Sequence, residues 1–324
     1  MRNWLILFFY LISIGAYAQD LSGIDPVYYD YDPRLTAMGG ASVALPGSSP
    51  AALIFNPAAL AELQDNYLFQ FTNSTYLDLL SYNYAGFSWR QKNGSALSVA
   101  IDFSGDEIMT EYEMIFSWSG KADILFSGSK ITENMSLGAN LKLMGSSFGN
   151  NENGAYYDEN GFNHQVQGNS YGVALDWGIQ YKLNDQHRLG LMNRNLLNTI
   201  FWNTDNEVDT AQGEYNESRP VSLIWGYSYI QGPAVLCLDY DLSLYEDRKN
   251  YLKSGLEINF FDNILSLRTG LSTELYSLET TQVNFGCGMN FIISKKMFQL
   301  DIAYRIFSRW QGYNNLLFGL KIAI

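Results

Sequence analysis

About fourteen short stretches of this chain alternate apolar and polar residues strictly, a period that belongs to β-strands with two unlike faces. In the last of them Leu316, Phe318, Leu320, Ile322 and Ile324 fall on one side, and Leu317, Gly319, Lys321 and Ala323 on the other. One face of such a strand can meet lipid and the other a lumen. The pattern predicts an all-β chain, a transmembrane antiparallel β-barrel of about 14 strands with a short, partly helical N-terminal plug.

The first residues fit export. Arg2, an apolar run over residues 4–14 and Ala16-Tyr17-Ala18 ahead of Gln19 follow the three-part plan of a secretory signal peptide, expected over residues 1–18. The apolar run is too short to cross a bilayer as a helix, which takes roughly 20 residues. Gln19 and not a cysteine stands directly after the cleavage site, and no later run is as apolar. Membrane entry is therefore expected through strands, since closed barrels and helices alone satisfy every backbone polar group in hydrocarbon. Residues 19–65 read as the plug segment and 66–324 as the barrel.

Charged residues make up 16% of the chain against 47% hydrophobic, a deficit of charge that calls for an apolar surrounding phase. The formal net charge of -13 excludes nucleic acid as an expected partner, because neutralising phosphates takes basic patches. Of the two cysteines, Cys237 shares its face with Asp239 and Asp241, and Cys287 with Val283, Phe285 and Phe291. The first is expected in the lumen and the second toward lipid, which argues against a disulfide.

Strands are expected near 67–76, 81–90, 95–104, 116–130, 135–147, 169–183, 188–196, 219–231, 233–243, 250–260, 264–274, 281–293, 297–308 and 314–324. Tight connections rich in Asn, Asp, Gly and Lys alternate with others that include the long segments 149–168 and 197–218. In outer-membrane barrels the short turns are periplasmic and the long loops extracellular. That parity places both termini in the periplasm, requires an even strand number, and assigns residues 109–115 to a loop.

Residues 32–63 differ in kind. They lack the strand period, and small residues dominate, which suits packing inside a lumen. Ser49-Pro50 and Asn56-Pro57 each read as a helix N-cap followed by proline at N1. Met38-Gly39-Gly40-Ala41, followed by Asn56-Pro57-Ala58 ahead of a barrel, resembles the FadL superfamily of outer-membrane proteins. Within it, residues 34–60 look most like the branch containing the PorV and PorQ components of type IX secretion in Bacteroidota. The resemblance implies a fourteen-stranded barrel plugged by its N-terminal segment; no enzymatic activity and no cofactor are expected of the chain.

Two functions follow from the resemblance. PorV-type members engage secreted cargo proteins and hand them to surface attachment machinery; FadL-type members take up hydrophobic molecules such as long-chain fatty acids. A greasy ligand needs a greasy first contact, yet residues 149–168 are polar. Residues 197–218 carry an apolar patch at Ile200, Phe201 and Trp202 and then turn acidic. This patch is the candidate contact for a partner or ligand. The expected function is assistance to type IX secretion or cargo delivery, with the hydrophobic channel as the alternative.

The polar phase of the strands places acids at Asp102, Asp123, Asp176, Asp239, Asp241, Glu257 and Asp301, and bases at Lys142, Lys182, Arg188, Arg194, Lys253, Arg268, Arg305 and Lys321. Neighbouring strands would pair Lys142 with Asp176, Glu257 with Arg268, and Asp301 or Arg305 with Lys321. Such a network would fill and neutralise a lumen. The only histidines, His164 and His187, fall in an outward loop and an inward turn, so neither a catalytic triad nor a zinc site is expected. Trp225, Tyr227, Tyr229 and Tyr304 are expected in interfacial aromatic girdles.

Overall fold

The computed structural model describes residues 31–76, 80–105, 109–126, 129–149, 159–161, 167–205, 213–244, 250–275, 281–307 and 314–324. The expected signal peptide, residues 19–30 and His164 lie outside the described residues.

Fifteen strand segments follow the N-terminal segment: β1 (Tyr67–Tyr76), β2 (Leu80–Arg90), β3 (Ala96–Gly105), β4 (Met109–Lys121), β5 (Met135–Phe148), β6 (Gln167–Lys182), β7 (His187–Asp205), β8 (Gly213–Glu217), β9 (Ser222–Gln231), β10 (Ala234–Ser243), β11 (Tyr251–Phe260), β12 (Leu265–Glu274), β13 (Gln282–Ile293), β14 (Lys296–Phe307) and β15 (Asn315–Ala323). Each pairs antiparallel with its neighbours, and β1 closes on β15 from Leu68↔Ala323 to Thr75↔Leu316. Both β8 and β9 pair with β7, one above the other, so they share one place in the ring. The result is a closed barrel of fourteen strands.

Its faces are inverted relative to a water-soluble barrel. On β3 the outward Leu97, Val99, Ile101 and Phe103 are exposed, whereas the inward Ala96, Ser98, Ala100, Asp102 and Ser104 are buried. Apolar surface that stays exposed around a whole barrel needs lipid to cover it. Tight connections and both ends of the barrel chain lie at one rim, where Tyr67 and Ile324 exchange backbone hydrogen bonds of 3.2 and 2.9 Å. At this rim Ser294 and Lys295 both take left-handed φ values, 50° and 66°, which bend β13 into β14 in the sense favoured by twisted hairpins.

Two expectations about strands are corrected. Residues 109–115 belong to β4, which ends at Lys121; Ala122–Ile124 then forms a 3-10 turn and Lys130–Glu133 one helical turn. Consequently Asp123 is exposed at the rim and not in the lumen. The strand expected to stop at 196 runs on to Asp205, and part of the expected loop 197–218 is β8. The count survives because β4 shifts without adding a strand and β8 extends the line of β9.

The N-terminal segment fills the barrel. Asp32 caps the helix Pro33–Ala37, its Oδ1 accepting from Arg34 N at 2.8 Å. Asn56 caps the 3-10 helix Pro57–Glu62 through Ala58 N at 3.1 Å. The helix Ala52–Phe55 between them has no side-chain cap. The hydroxyl of Ser49, expected as that cap, donates instead to Asp32 Oδ2 at 2.6 Å.

Candidate functional site

The plug and the inner wall make one polar core, built from the lumen phase of the strands. Arg34 reaches from the plug to β11, donating to Glu257 through Nε at 2.7 Å and Nη2 at 2.9 Å. Arg268 on β12 donates to the same Glu257 at 2.6 Å and to Asp301 on β14 at 2.6 Å. Lys321 on β15 then lies 3.3 Å from Asp301 and 3.2 Å from Asp32 of the plug. Three bases and three acids alternate, and four of the six belong to the wall. Buried charges survive only when paired this way. Burial by itself would raise the Asp32 carboxyl, but Lys321, Ser49 and Arg34 outweigh it and hold it below the usual carboxylate range. Burial works against the charge of Arg34, yet Glu257 and Asp32 keep its pKa above the ordinary arginine value.

A second set of contacts holds the plug by its backbone. Asp239 on β10 accepts from Ser42 N at 2.6 Å and Val43 N at 3.0 Å. Asn56 donates to Val43 O at 2.7 Å and to Ile179 O of β6 at 3.2 Å, and Gln180 donates to Val43 O and Leu45 O at 2.9 and 2.7 Å. Met38, Gly39, Gly40 and Ala41 lie on β11 and β12. Gly39 has φ 69°, and a Cβ there would come within 2.7 Å of the Leu271 and Ser254 backbones, so both conformation and space demand glycine.

The wall answers with its own glycines. Nine strands present a lumen-facing glycine to the plug, and three opposed pairs are in register: Gly138↔Gly178, Gly190↔Gly226 and Gly255↔Gly270. At Gly178 an added Cβ would overlap the Asn56 side chain, and at Gly270 the backbone of Met38 and Gly39. Glycine in a strand commonly marks such close backbone approach. The signal was available in the sequence, as glycine recurring in the polar phase of successive strands.

At the lower end of the plug, Glu62 accepts from Lys121 at 2.8 Å and pairs with Arg188. Burial would raise its carboxyl, but these two cations bring it below its ordinary value. Above the plug lies a narrow chamber with about 70 Å³ of space open to a water-sized molecule. Val43, Ile54 and Phe55 form an apolar floor, and Lys142, Arg194, Arg219, Lys253 and Arg305 stand in the wall. Lys142 and Asp176 are 2.8 Å apart, Lys253 and Asp241 2.7 Å, and Arg219 pairs with Glu113 across the lumen. Arg305 donates to Asn284 at 3.0 Å and does not meet Lys321. Cys237 is buried and Cys287 exposed, both as free thiols.

Beside the chamber the wall is interrupted. β7 pairs with β9 as far as Arg194↔Ser222 and resumes with β8 at Ile200↔Glu217. Side chains lace the gap. Asn195 donates to Pro220 O at 3.1 Å, and Asn198 to Arg219 O at 3.0 Å, while Asn198 Oδ1 accepts from Arg219 N. Asn195 sits at φ 56° where β7 bulges against β6, its N–H held by Asp176 at 2.8 Å. A non-glycine residue in that region is held by its surroundings.

The candidate contact residues do not form one loop surface. Strand alternation turns Ile200 and Trp202 into the lumen, where Ile200 packs with Met144 and Ala174, and Trp202 donates to Glu217 at 2.8 Å. Phe201 points outward and stacks on Tyr171 with ring centroids 5.2 Å apart. Of the aromatic residues expected in girdles, Trp225, Tyr227 and Tyr304 are exposed.

No protein-family model and no curated protein matches the chain. Solved structures do match in fold. The CymD monoaromatic hydrocarbon channel has a TM-score of 0.60 at 13% identity, covering 90% of this chain and 95% of that one. A FadL homologue of Pseudomonas aeruginosa has a TM-score of 0.60 at 11% identity, covering 90% and 97%. The toluene transporter TodX of Pseudomonas putida has a TM-score of 0.57 at 14% identity, covering 94% and 98%. At such identities the likeness is one of fold, a closed fourteen-stranded barrel like those of these channels.

Proposed function

We propose that the chain is an uptake channel of FadL type, which admits a small hydrophobic or amphipathic molecule from the loop end into the chamber over the plug. The chamber carries this reading, because it joins an apolar floor of Val43, Ile54 and Phe55 to polar walls beside an interrupted stretch of barrel wall. Its similarity to channels for toluene and monoaromatic hydrocarbons supports the substrate class. The plug lies across the lumen, so a molecule in the chamber has its shortest way out through the laced gap between β7 and β9, into the bilayer. The turns and both termini then face the periplasm.

A second reading, assistance to type IX secretion, rests on the resemblance of residues 34–60 to the PorV/PorQ branch. The ion-paired plug across the lumen favours it, since a cargo-handling barrel has no need of a route through itself. The loss of a common surface at Ile200, Phe201 and Trp202 weakens it.

Uptake decides between them. In cells lacking their own hydrophobic channels, expression of the chain should raise entry of labelled toluene or a long-chain fatty acid. Uptake at the empty-vector level from a folded barrel, together with failure of cargo to reach the surface when the gene is removed, would establish the secretion reading instead.

A further inference from the structure

Most connections at the turn rim are tight, but the one between β4 and β5 is not. It spans residues 122–134, and its described part exposes Ile124, Leu125, Phe126 and Ile131. A soluble loop would not present four large apolar side chains to water in so short a length. Their placement names what covers them.

Outward-facing aromatic residues mark the lower edge of the lipid-facing wall. Tyr67, Trp89, Leu97, Trp118, Ala139 and Trp177 are cross-strand partners in one row over β1 to β6. Three tryptophans and a tyrosine in such a row form the girdle expected at a membrane–water boundary. The connection folds back on this row. Gly120 follows Trp118 on the outward face, and a Cβ there would lie 3.1 Å from the Trp118 ring and 3.2 Å from Ile124 Cδ1. Ile124 therefore packs beside Trp118 on the lipid side of the wall, while Lys121 turns inward to Glu62.

We propose that this connection is an interfacial foot, with Leu125, Phe126 and Ile131 inserted into the inner leaflet of the outer membrane at the headgroup–acyl boundary. The surface is continuous with the lipid-facing belt, and short apolar segments with a polar side settle at that depth. Its one-turn helix, Lys130–Glu133, is closed by a capping box between Ser129 and Thr132, so the backbone needs no partner protein to complete it. The foot would set the height and tilt of the barrel independently of what the chamber binds.

The test uses the full-length barrel in phospholipid vesicles. In a Cys237→Ser, Cys287→Ser background, Leu125→Cys or Phe126→Cys carries an environment-sensitive fluorophore, with Asp185→Cys in the polar turn at the same rim as reference. Shallow doxyl-labelled phospholipid should quench both foot positions several-fold more than position 185, and aqueous iodide should do the reverse. Iodide quenching at 125 and 126 equal to that at 185 would overturn the proposal. So would protection that arises only when a periplasmic protein is added. Hydrogen exchange on the unmodified chain gives a second measurement: amides 124–126 should be slower in lipid nanodiscs than in detergent, and equal rates would also overturn it.

Discussion

Arg34 of the plug and Glu257 of the wall meet through two hydrogen bonds, 2.7 and 2.9 Å long, joining residues 223 positions apart in the chain. The plug is thereby tied to a strand formed far later in the sequence. Because Arg268 and Asp301 continue the contact, the floor of the chamber behaves as one unit with three strands of the wall.

Replacing Glu257 with Gln should leave two buried guanidinium groups without their shared carboxylate. Removing one partner of a buried pair costs about 3–5 kcal/mol, so the plug should loosen before the barrel does. Single-channel conductance should rise, and protease should cut residues 31–63, while the heat-modifiable gel shift of the folded barrel persists. Wild-type conductance would show that the backbone contacts of Asp239 and Gln180 hold the plug alone.

Acid should act at the same place. Asp32 and Glu62 both have carboxyls held below their ordinary values by cations. A depressed folded-state pKa means that the stabilisation is complete above the unfolded-state value and is lost as pH falls through the folded-state one. The share of plug anchoring that Asp32 and Glu62 supply should therefore be constant near neutrality and be lost below about pH 4. Conductance measured from pH 7 down to pH 3 checks this, and a rise already near pH 6 would point to a different group.

Asn56→Leu should remove the Ala58 cap and both carbonyl contacts. The capping loss alone is worth about 1 kcal/mol, and Val43 O keeps Gln180 as a donor. Increased protease sensitivity of the plug is the expected result, smaller than that of the Glu257 variant. Gly178→Val should produce the same effect from the wall, by pushing against the Asn56 side chain.

Strand period made the barrel legible, and it also put Lys142 beside Asp176 and Glu257 beside Arg268, since residues in the same phase of adjacent strands face one another. It failed where the chain leaves that rule. Asn195 and Asn198 bulge β7 and lace its gap to Pro220 and Arg219, so the strand continues past its expected end at 196. Residues 122–126 retain an apolar–polar appearance after the ladder has stopped, which disguised the end of β4. Arg34 and Asp32 were not legible as partners of the wall, because a plug without period carries no register to pair against. The outward place of Phe201 follows from alternation once β7 is known to extend through it.

The most direct measurement is uptake through a barrel whose chamber has been filled. Ser272 is buried, lines the chamber and lies outside the ion pairs that tie the plug to the wall. Ser272→Trp should abolish entry of labelled toluene or long-chain fatty acid in a barrel that folds and keeps wild-type conductance. Unchanged uptake, or none even in the wild-type chain, would contradict the account that the chamber over the plug receives the transported molecule.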